Sequence, residues 1–461
     1  MDTKKKLGLG ACIATGIGAI IGAGIFGTLP TVVSDVGSFA VPAIAIATVY
    51  MFMVMIPILY TTSVVPASGG LLLWSTKLIY PAAGILTAMI YLLGAPVSIA
   101  YYSVLFGNYI SVLAPTLAGK ETLAAIALVI IMGLIACLGN YTFATINSIV
   151  VVVLFITCGV YAFGGLHGID ANIIDLKELF SSGIKLSSAA VAVSAFAQCL
   201  SGGSETAQIS SDVKNPEKNI PRAAFISTCI VAVLYIFMAI VTLYYFEGND
   251  ISTLADVAAK FMPRNLMIFF VIFGPVIGVA TSLPPALMSS TAIIKASIDC
   301  GILPEKLSKE NRHSAPIFIL AYIVALALVF IFAGSTFSLL MLVASALRMM
   351  LSIIVCFLPF KLIKMYPHSC NHAGLKLNKK FVLVDSVIAC VLSAYLAVET
   401  IRSLNKTAVL AQAIYIALML LFLLLRIKHL KKQGRDLIAE LHSPYQPWEE
   451  QEAKWREQDL I

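Results

Sequence analysis

Two stretches of this chain place helix-breaking residues inside apolar runs, and together they suit the capture of a small charged molecule. The first is Gly16–Gly27, GIGAIIGAGIFG, in which five of twelve residues are glycine. An interior glycine costs a helix about 1 kcal/mol relative to alanine, so a continuous helix is not expected here. The second is Cys199-Leu-Ser-Gly-Gly-Ser-Glu205, with serines, two glycines and a carboxylate in mid-run. At membrane depth, backbone without a helical partner persists only where protein buries it or where it lines a cavity. Two adjacent breaks would supply N–H groups at the start of one half-helix and carbonyls at the end of another. A zwitterion uses both: its carboxylate prefers the positive N-terminal end, and its ammonium prefers the carbonyls. The donors are expected at Gly22, Ala23, Gly24 and Ile25, and the acceptors at Ala19, Ile20 and Ala197 through Leu200. Residues expected to line the same space are Tyr101, Cys199, Ser201, Gly202, Ser204 and Glu205. Close packing of helices through small residues is the competing account of the glycines.

Glu205 and Arg348 read as the two mid-membrane charges, and groups of this kind mark function by default. Glu205 could meet a cationic substrate, carry a coupling proton or hold a neighbouring helix. Arg348 keeps its proton and needs a carboxylate or water, so Glu205 is its natural partner. A structural ion pair and a role in gating or in reading an acidic side chain remain open. Thr281 and Ser282 could offer hydroxyls to a sodium ion beside carbonyls near Gly18 and Ile21; capping a kink before Pro284-Pro285 is the preferred account. Tyr102 and Phe196 are expected in packing rather than as gates. His368, Cys370 and His372 are metal-ligand types, but their spacing fits no structural zinc pattern. Neither a metal, nor a cofactor, nor a catalytic group is expected.

The elements that would hold these residues are membrane helices. Of 461 residues, 59% are hydrophobic and 12% charged, against about 25% charged in a soluble domain. Uncharged runs long enough to span recur throughout. They predict twelve spans near 7–33, 38–64, 82–113, 122–138, 143–166, 187–211, 221–246, 265–298, 316–334, 336–361, 381–401 and 407–428. Lys and Arg gather in alternate loops, including Lys4–Lys6, Lys214–Arg222, Lys306–Arg312 and Lys361–Lys380, and in the tail. By the positive-inside rule both termini are cytoplasmic. The net charge of +7 therefore sits in loops and tails and is no nucleic-acid signal. A cleavable signal peptide is not expected, and the nine cysteines suggest no disulfide framework. The two breaks lie five spans apart, which suggests two five-helix repeats of opposite orientation. The expected organisation is a cytoplasmic N-terminus (1–6), a first repeat (7–166), a second repeat (187–361), two further helices (381–428) and a cytoplasmic tail (429–461), the last a helix or a disordered end.

Four stretches also resemble one family. Gly22-Ala-Gly-Ile-Phe26 is similar to the first-helix motif of the amino acid–polyamine–organocation (APC) permeases. Pro66-Ala-Ser-Gly-Gly70 with Pro81 resembles the segment before their third helix. Val213-Lys-Asn-Pro-Glu-Lys-Asn-Ile-Pro-Arg222 resembles the loop after their sixth, and Asp299-Cys-Gly-Ile-Leu-Pro304 the end of their eighth. The resemblance implies an all-α integral membrane fold of twelve helices, a five-plus-five inverted repeat with helices 1 and 6 unwound around a central substrate. It implies a secondary active transporter of amino acids or related amines, driven by exchange, protons or sodium, in the cell membrane. A polyamine or organic-cation exchanger of the same fold is the alternative. Two departures stand out. The acidic residue of some members falls here at Ser204, not Glu205, a shift that turns a helical side chain by about 100°. The fifth-helix lysine of others has no counterpart between Tyr141 and Gly164. A channel would want a continuous polar stripe, and a membrane enzyme paired carboxylates or a histidine cluster at depth; neither pattern is present.

Overall fold

The computed structural model describes residues 8–67, 70–137, 143–169, 183–202, 213–246, 253–313 and 315–460, which are helical throughout and contain no named strand. The first apolar run forms two helices, α1 (Leu9–Ile20) and α2 (Ala23–Val36), interrupted at Ile21 and Gly22. Gly37, at φ +53°, turns the chain into α3 (Ala40–Val64), a conformation that only glycine adopts without strain. A short helix α4 (Gly70–Trp74) runs into a π-helical turn at Ser75–Ile79. Pro81, its φ already helical, then starts the long α5 (Pro81–Leu113). Next come α6 (Glu121–Ala136), α7 (Phe143–Leu166), α8 (Leu186–Leu200) and α9 (Pro216–Tyr244).

The second half opens with the small α10 (Leu254–Ala258), whose Thr253 and Asp256 form a capping box. Helices α11 (Arg264–Val271) and α12 (Ile277–Asp299) are joined by a π-helical segment around Pro275, which removes one backbone donor and widens the turn. The expected single span there is thus two helices with a defect between them. Then follow α13 (Ile317–Phe332), α14 (Phe337–Met365), α15 (Pro367–Asn371), α16 (Lys379–Ser403) and α17 (Lys406–Lys432). Side-chain caps begin three of the last long helices: Thr336 for α14, Asn378 for α16 and Asn405 for α17. The charged tail folds back as α18 (Leu437–His442) and α19 (Gln446–Asp459).

Six stretches among the described residues are long and apolar enough to cross a bilayer: Gly24–Val64, Pro81–Leu113, Lys218–Tyr244, Phe337–Met365, Lys379–Ser403 and Lys406–Lys432. This is a multi-pass membrane protein. Burial orders the helices from centre to rim. The most apolar window of α14 is 72% buried, whereas that of α17 is 6% buried, so α17 turns nearly all its leucines toward lipid. The main core gathers α2, α3, α5, α8, α9 and α14. A second cluster lies at the end of the bundle where the tail folds, here named the tail side, around Tyr60, Trp74, Leu358, Leu362, Tyr366 and Trp448.

Candidate functional site

The interruption of α1 and α2 is narrower than the glycine run that signals it. Only Ile21 and Gly22 leave the helix, and no side chain caps the start of α2. The N–H groups of Ala23, Gly24 and Ile25 in the first turn of α2 therefore point back into the break, whereas that of Gly22, also expected as a donor, is spent on the Ile20 carbonyl at 2.8 Å. The end of α8 closes over this point. A methyl group on Gly202 would lie 2.1 Å from the Ala19 carbonyl oxygen and 2.7 Å from the Ile20 nitrogen, so only glycine fits. A methyl group on Gly24 would meet Cys199 Sγ at 3.2 Å and Tyr101 Oη at 3.3 Å. The break after α1 and the end of α8 are thus in direct contact through backbone.

A hydroxyl cluster stands beside Gly24. Tyr101 Oη lies 3.5 Å from Thr28 Oγ1 and donates to the Gly24 carbonyl at 3.4 Å. Cys199 Sγ donates to Thr28 Oγ1 at 3.3 Å. Tyr235 of α9 donates to the Ile20 carbonyl at 3.1 Å, occupying one of the expected acceptors. Arg348 Nη2 donates to the Ser201 carbonyl at 3.4 Å, tying α14 to the end of α8.

A model of the amino acid permease family matches residues 7–425. The chain belongs to that family, within the APC superfamily. A protein of Mycobacterium bovis named as an uncharacterized transporter is 22% identical over 357 residues, covering 70% of this chain and 73% of the relative. The permease is accordingly a membrane transporter.

Within the permease, Gly24 meets Tyr101 and Cys199, Gly202 beside Ser201 rests on the Ala19–Ile20 peptide, and Gly22 lies against Ser282, with Ala23 and Ile25 contributing backbone to the first turn of α2. Their access is one-sided. Residues 24–30 are all buried, whereas Ala19 at the end of α1 is exposed. On the side away from the tail, Phe337 stacks on Tyr101 at 4.8 Å and covers Gly27. Above this layer a shallow cavity of about 520 Å³ is lined by Thr31, Asp35, Ala195, Ser338, Glu399 and Arg402, among others, and its lining begins one turn beyond Thr28 and Cys199. Ser204 and Glu205 lie outside the described residues, as would any pairing of Glu205 with Arg348. Of Thr281 only the backbone, within α12, is described.

Several side chains around the site are engaged with their own helices or neighbours. The Ser201 hydroxyl turns back on its own helix, donating to the Gln198 carbonyl at 2.8 Å, so its backbone carbonyl is what it presents to Arg348. Ser282 Oγ likewise donates to the Gly278 carbonyl at 2.7 Å while lying against Gly22. Phe196 is fully buried and Tyr102 tilts against Tyr101 at 4.9 Å, both as packing. His368 and His372 each pair with Asp459 of the tail, at 2.6 and 2.7 Å, and among the described residues no group of three potential ligands is poised for a metal.

Sequence reasoning missed three residues. Thr28 stands one turn beyond Gly24 on the same face of α2, and that i, i+4 spacing was the available signal. Tyr235 sits in an unbroken apolar helix with nothing around it to mark it. The third is Asp385, which reads in sequence as the polar end of a span. It lies inside α16 and is only 7% exposed.

Proposed function

We infer that the permease is a secondary active transporter that moves amino acids or related amines across the cell membrane by alternating access. The observation that carries this reading is the uncapped start of α2, where the buried Gly24 faces Cys199 and Tyr101. A substrate carboxylate fits those N–H groups and the positive end of the helix dipole. The ammonium meets carbonyls of the α8 end at Ala197, Cys199 and Leu200 and that of Ala19, because the Ile20 carbonyl is filled by the Gly22 amide and the Tyr235 hydroxyl and the Gln198 carbonyl by Ser201. Tyr101, Thr28 and Cys199 form the wall against which the substrate side chain rests. The burial of residues 24–30 and the exposure of Ala19 favour a state closed away from the tail side.

Twelve spans in two inverted repeats, 7–166 and 187–361, with 381–428 appended, accommodate both breaks at matching places. The lysine and arginine bias puts both termini in the cytoplasm, so the tail side is the inner face. The Ser282 bond to Gly278 favours a helix-kink role for Thr281 and Ser282 over a sodium site.

Uptake into proteoliposomes tests the reading. A panel of labelled amino acids and amines is offered with a sodium gradient, with a pH gradient, or against trapped internal substrate. Saturable uptake or exchange of at least one is expected. Its absence for every compound under every condition would falsify the transport reading.

A further inference from the structure

Asp385 is a buried carboxylate that the site described above does not use. It sits six residues into α16, and its Oδ2 is shut from solvent without a hydrogen-bond partner. An ionised carboxylate in that position is costly, and a protonated one far less so. Helices α3, α8 and α14 pack against α16. From α14, Cys356 lies within electrostatic reach of the carboxylate and of Cys390 of α16. From α3, Tyr50 lies within electrostatic reach of both Cys356 and Arg348. On α8 the titratable group among the described residues is Cys199, at the substrate site. Of the two nearest lysines in sequence, Lys380 is exposed and Lys379 engages the Pro367 carbonyl and Asn371 Oδ1, at 3.4 and 2.7 Å. Nothing described here neutralises Asp385 except a proton.

Between the helices that pack on Asp385 and the break lie further polar groups, reached from the carboxylate through the electrostatics of Cys356 and Tyr50. Tyr50 Oη pairs with Ser393 Oγ at 2.8 Å. Ser352 Oγ donates to the Arg348 carbonyl at 3.1 Å, and Arg348 reaches the Ser201 carbonyl. Cys356 stands eight residues beyond Arg348 on α14, about 12 Å along the helix. Asp385 is thus displaced from the substrate toward the tail side, yet linked to it by the helix that carries Arg348.

We propose that Asp385 is a proton-binding site of the transport cycle, coupled to the substrate site through Tyr50, Ser352 and Arg348. This deepens the transport reading and rests on it. The only bond made and broken is the O–H of the Asp385 carboxyl: it takes a proton from one side of the membrane and releases it to the other.

The test compares wild type with Asp385→Asn, which mimics the protonated form. In proteoliposomes, exchange of labelled for unlabelled substrate is expected to stay within about twofold, while uptake driven by a pH gradient falls at least about tenfold. Gradient-driven uptake unchanged in Asp385→Asn overturns the proposal, as does a wild type that ignores the pH gradient while exchanging normally. If Asp385→Asn does not fold, Asp385→Glu decides. It should keep gradient-driven uptake with a displaced pH midpoint, and an unmoved midpoint counts against the proposal. Infrared difference spectra of the purified protein between acid and alkaline pH give a readout independent of transport. A carboxylic-acid C=O band that Asp385→Asn removes, or Asp385→Glu shifts, supports the site even if no substrate is found. A spectrum that neither variant changes overturns it.

Discussion

The break at Gly22 and the docked tail show two ways of holding a protein together. At the break, backbone meets backbone: Gly202 rests on the Ala19–Ile20 peptide, and Gly24 faces Cys199 and Tyr101 with no room for a methyl group to spare. At the tail, side chains make the join. Trp448 is buried to 1% exposure among Tyr366, Tyr445 and the end of α3, with its indole N–H on the Pro66 carbonyl at 3.3 Å. Glu452 caps the first turn of α15, accepting from the His368 and Ser369 amides at 2.9 and 2.8 Å, and Gln451 donates to the Val64 carbonyl at 2.8 Å. Lys77 reaches the carbonyls of Glu440 and Ser443. The first contact tolerates almost no change of size. The second is spread over many polar bonds, each worth about 1 kcal/mol, and should fail piece by piece.

Four substitutions probe that contrast, from the largest expected effect to the smallest. Gly202→Val should abolish uptake, by about a hundredfold or more, because its side chain must displace the backbone of the facing break. Surface expression and detergent solubility should persist, and near-normal transport by this variant would remove the claim that the end of α8 touches the break. Gly24→Leu should act the same way with the protein still inserted; ordinary uptake would reduce the glycines to packing devices. Trp448→Ala should cost about 3–5 kcal/mol of tail docking, read as a lower unfolding temperature and as faster proteolysis near Gly434, with the break itself intact. Tyr101→Phe should cost about 1 kcal/mol, seen as a rise in KM at nearly constant kcat, since one weak bond to Gly24 is lost. An equal fall in kcat would instead place Tyr101 in the conformational step.

The smallest effect concerns pH. Hydrogen bonds from His368 and His372 hold the Asp459 carboxyl below its ordinary value of 3.8. A lowered acid stabilises the contact above its unfolded pKa, and that contribution is lost as pH falls through the lowered value. His372 also stacks on Trp455 at 4.1 Å, so the release should show in tryptophan emission on acidification below about pH 4. Asp459→Asn should flatten that response, and an unaltered titration would mean the signal comes from elsewhere.

The centre of the molecule was more legible than its edges. Five glycines in an apolar run cannot be explained by lipid contact alone, so the break announced itself, and the family motif overlapped the same residues. Thr28 and Tyr235 did not, because a hydroxyl in a membrane helix usually bonds its own backbone, and sequence does not say which face it takes. Asp385 was overlooked for a different reason. Its closeness to Lys379 and Lys380 made it read as the ordinary polar end of a span, although three packed helices exclude water from it. The tail was the least readable. Its helices are charged and short, and Trp448 looks like any interfacial tryptophan until α3, α14 and α15 are assembled beneath it. The widened turns at Ser75–Ile79 and Ile272–Val276 alter hydrogen-bond spacing without altering hydropathy, so composition carries no trace of them.

The hydroxyl of Tyr235 has a mechanical consequence. It grips the last carbonyl of α1 from α9, while Gly202 seats α8 on the neighbouring peptide. Three helices from both halves of the chain are thereby pinned at one joint. In the alternating-access cycle proposed above, opening would swing them together as one lever or first pull the pin.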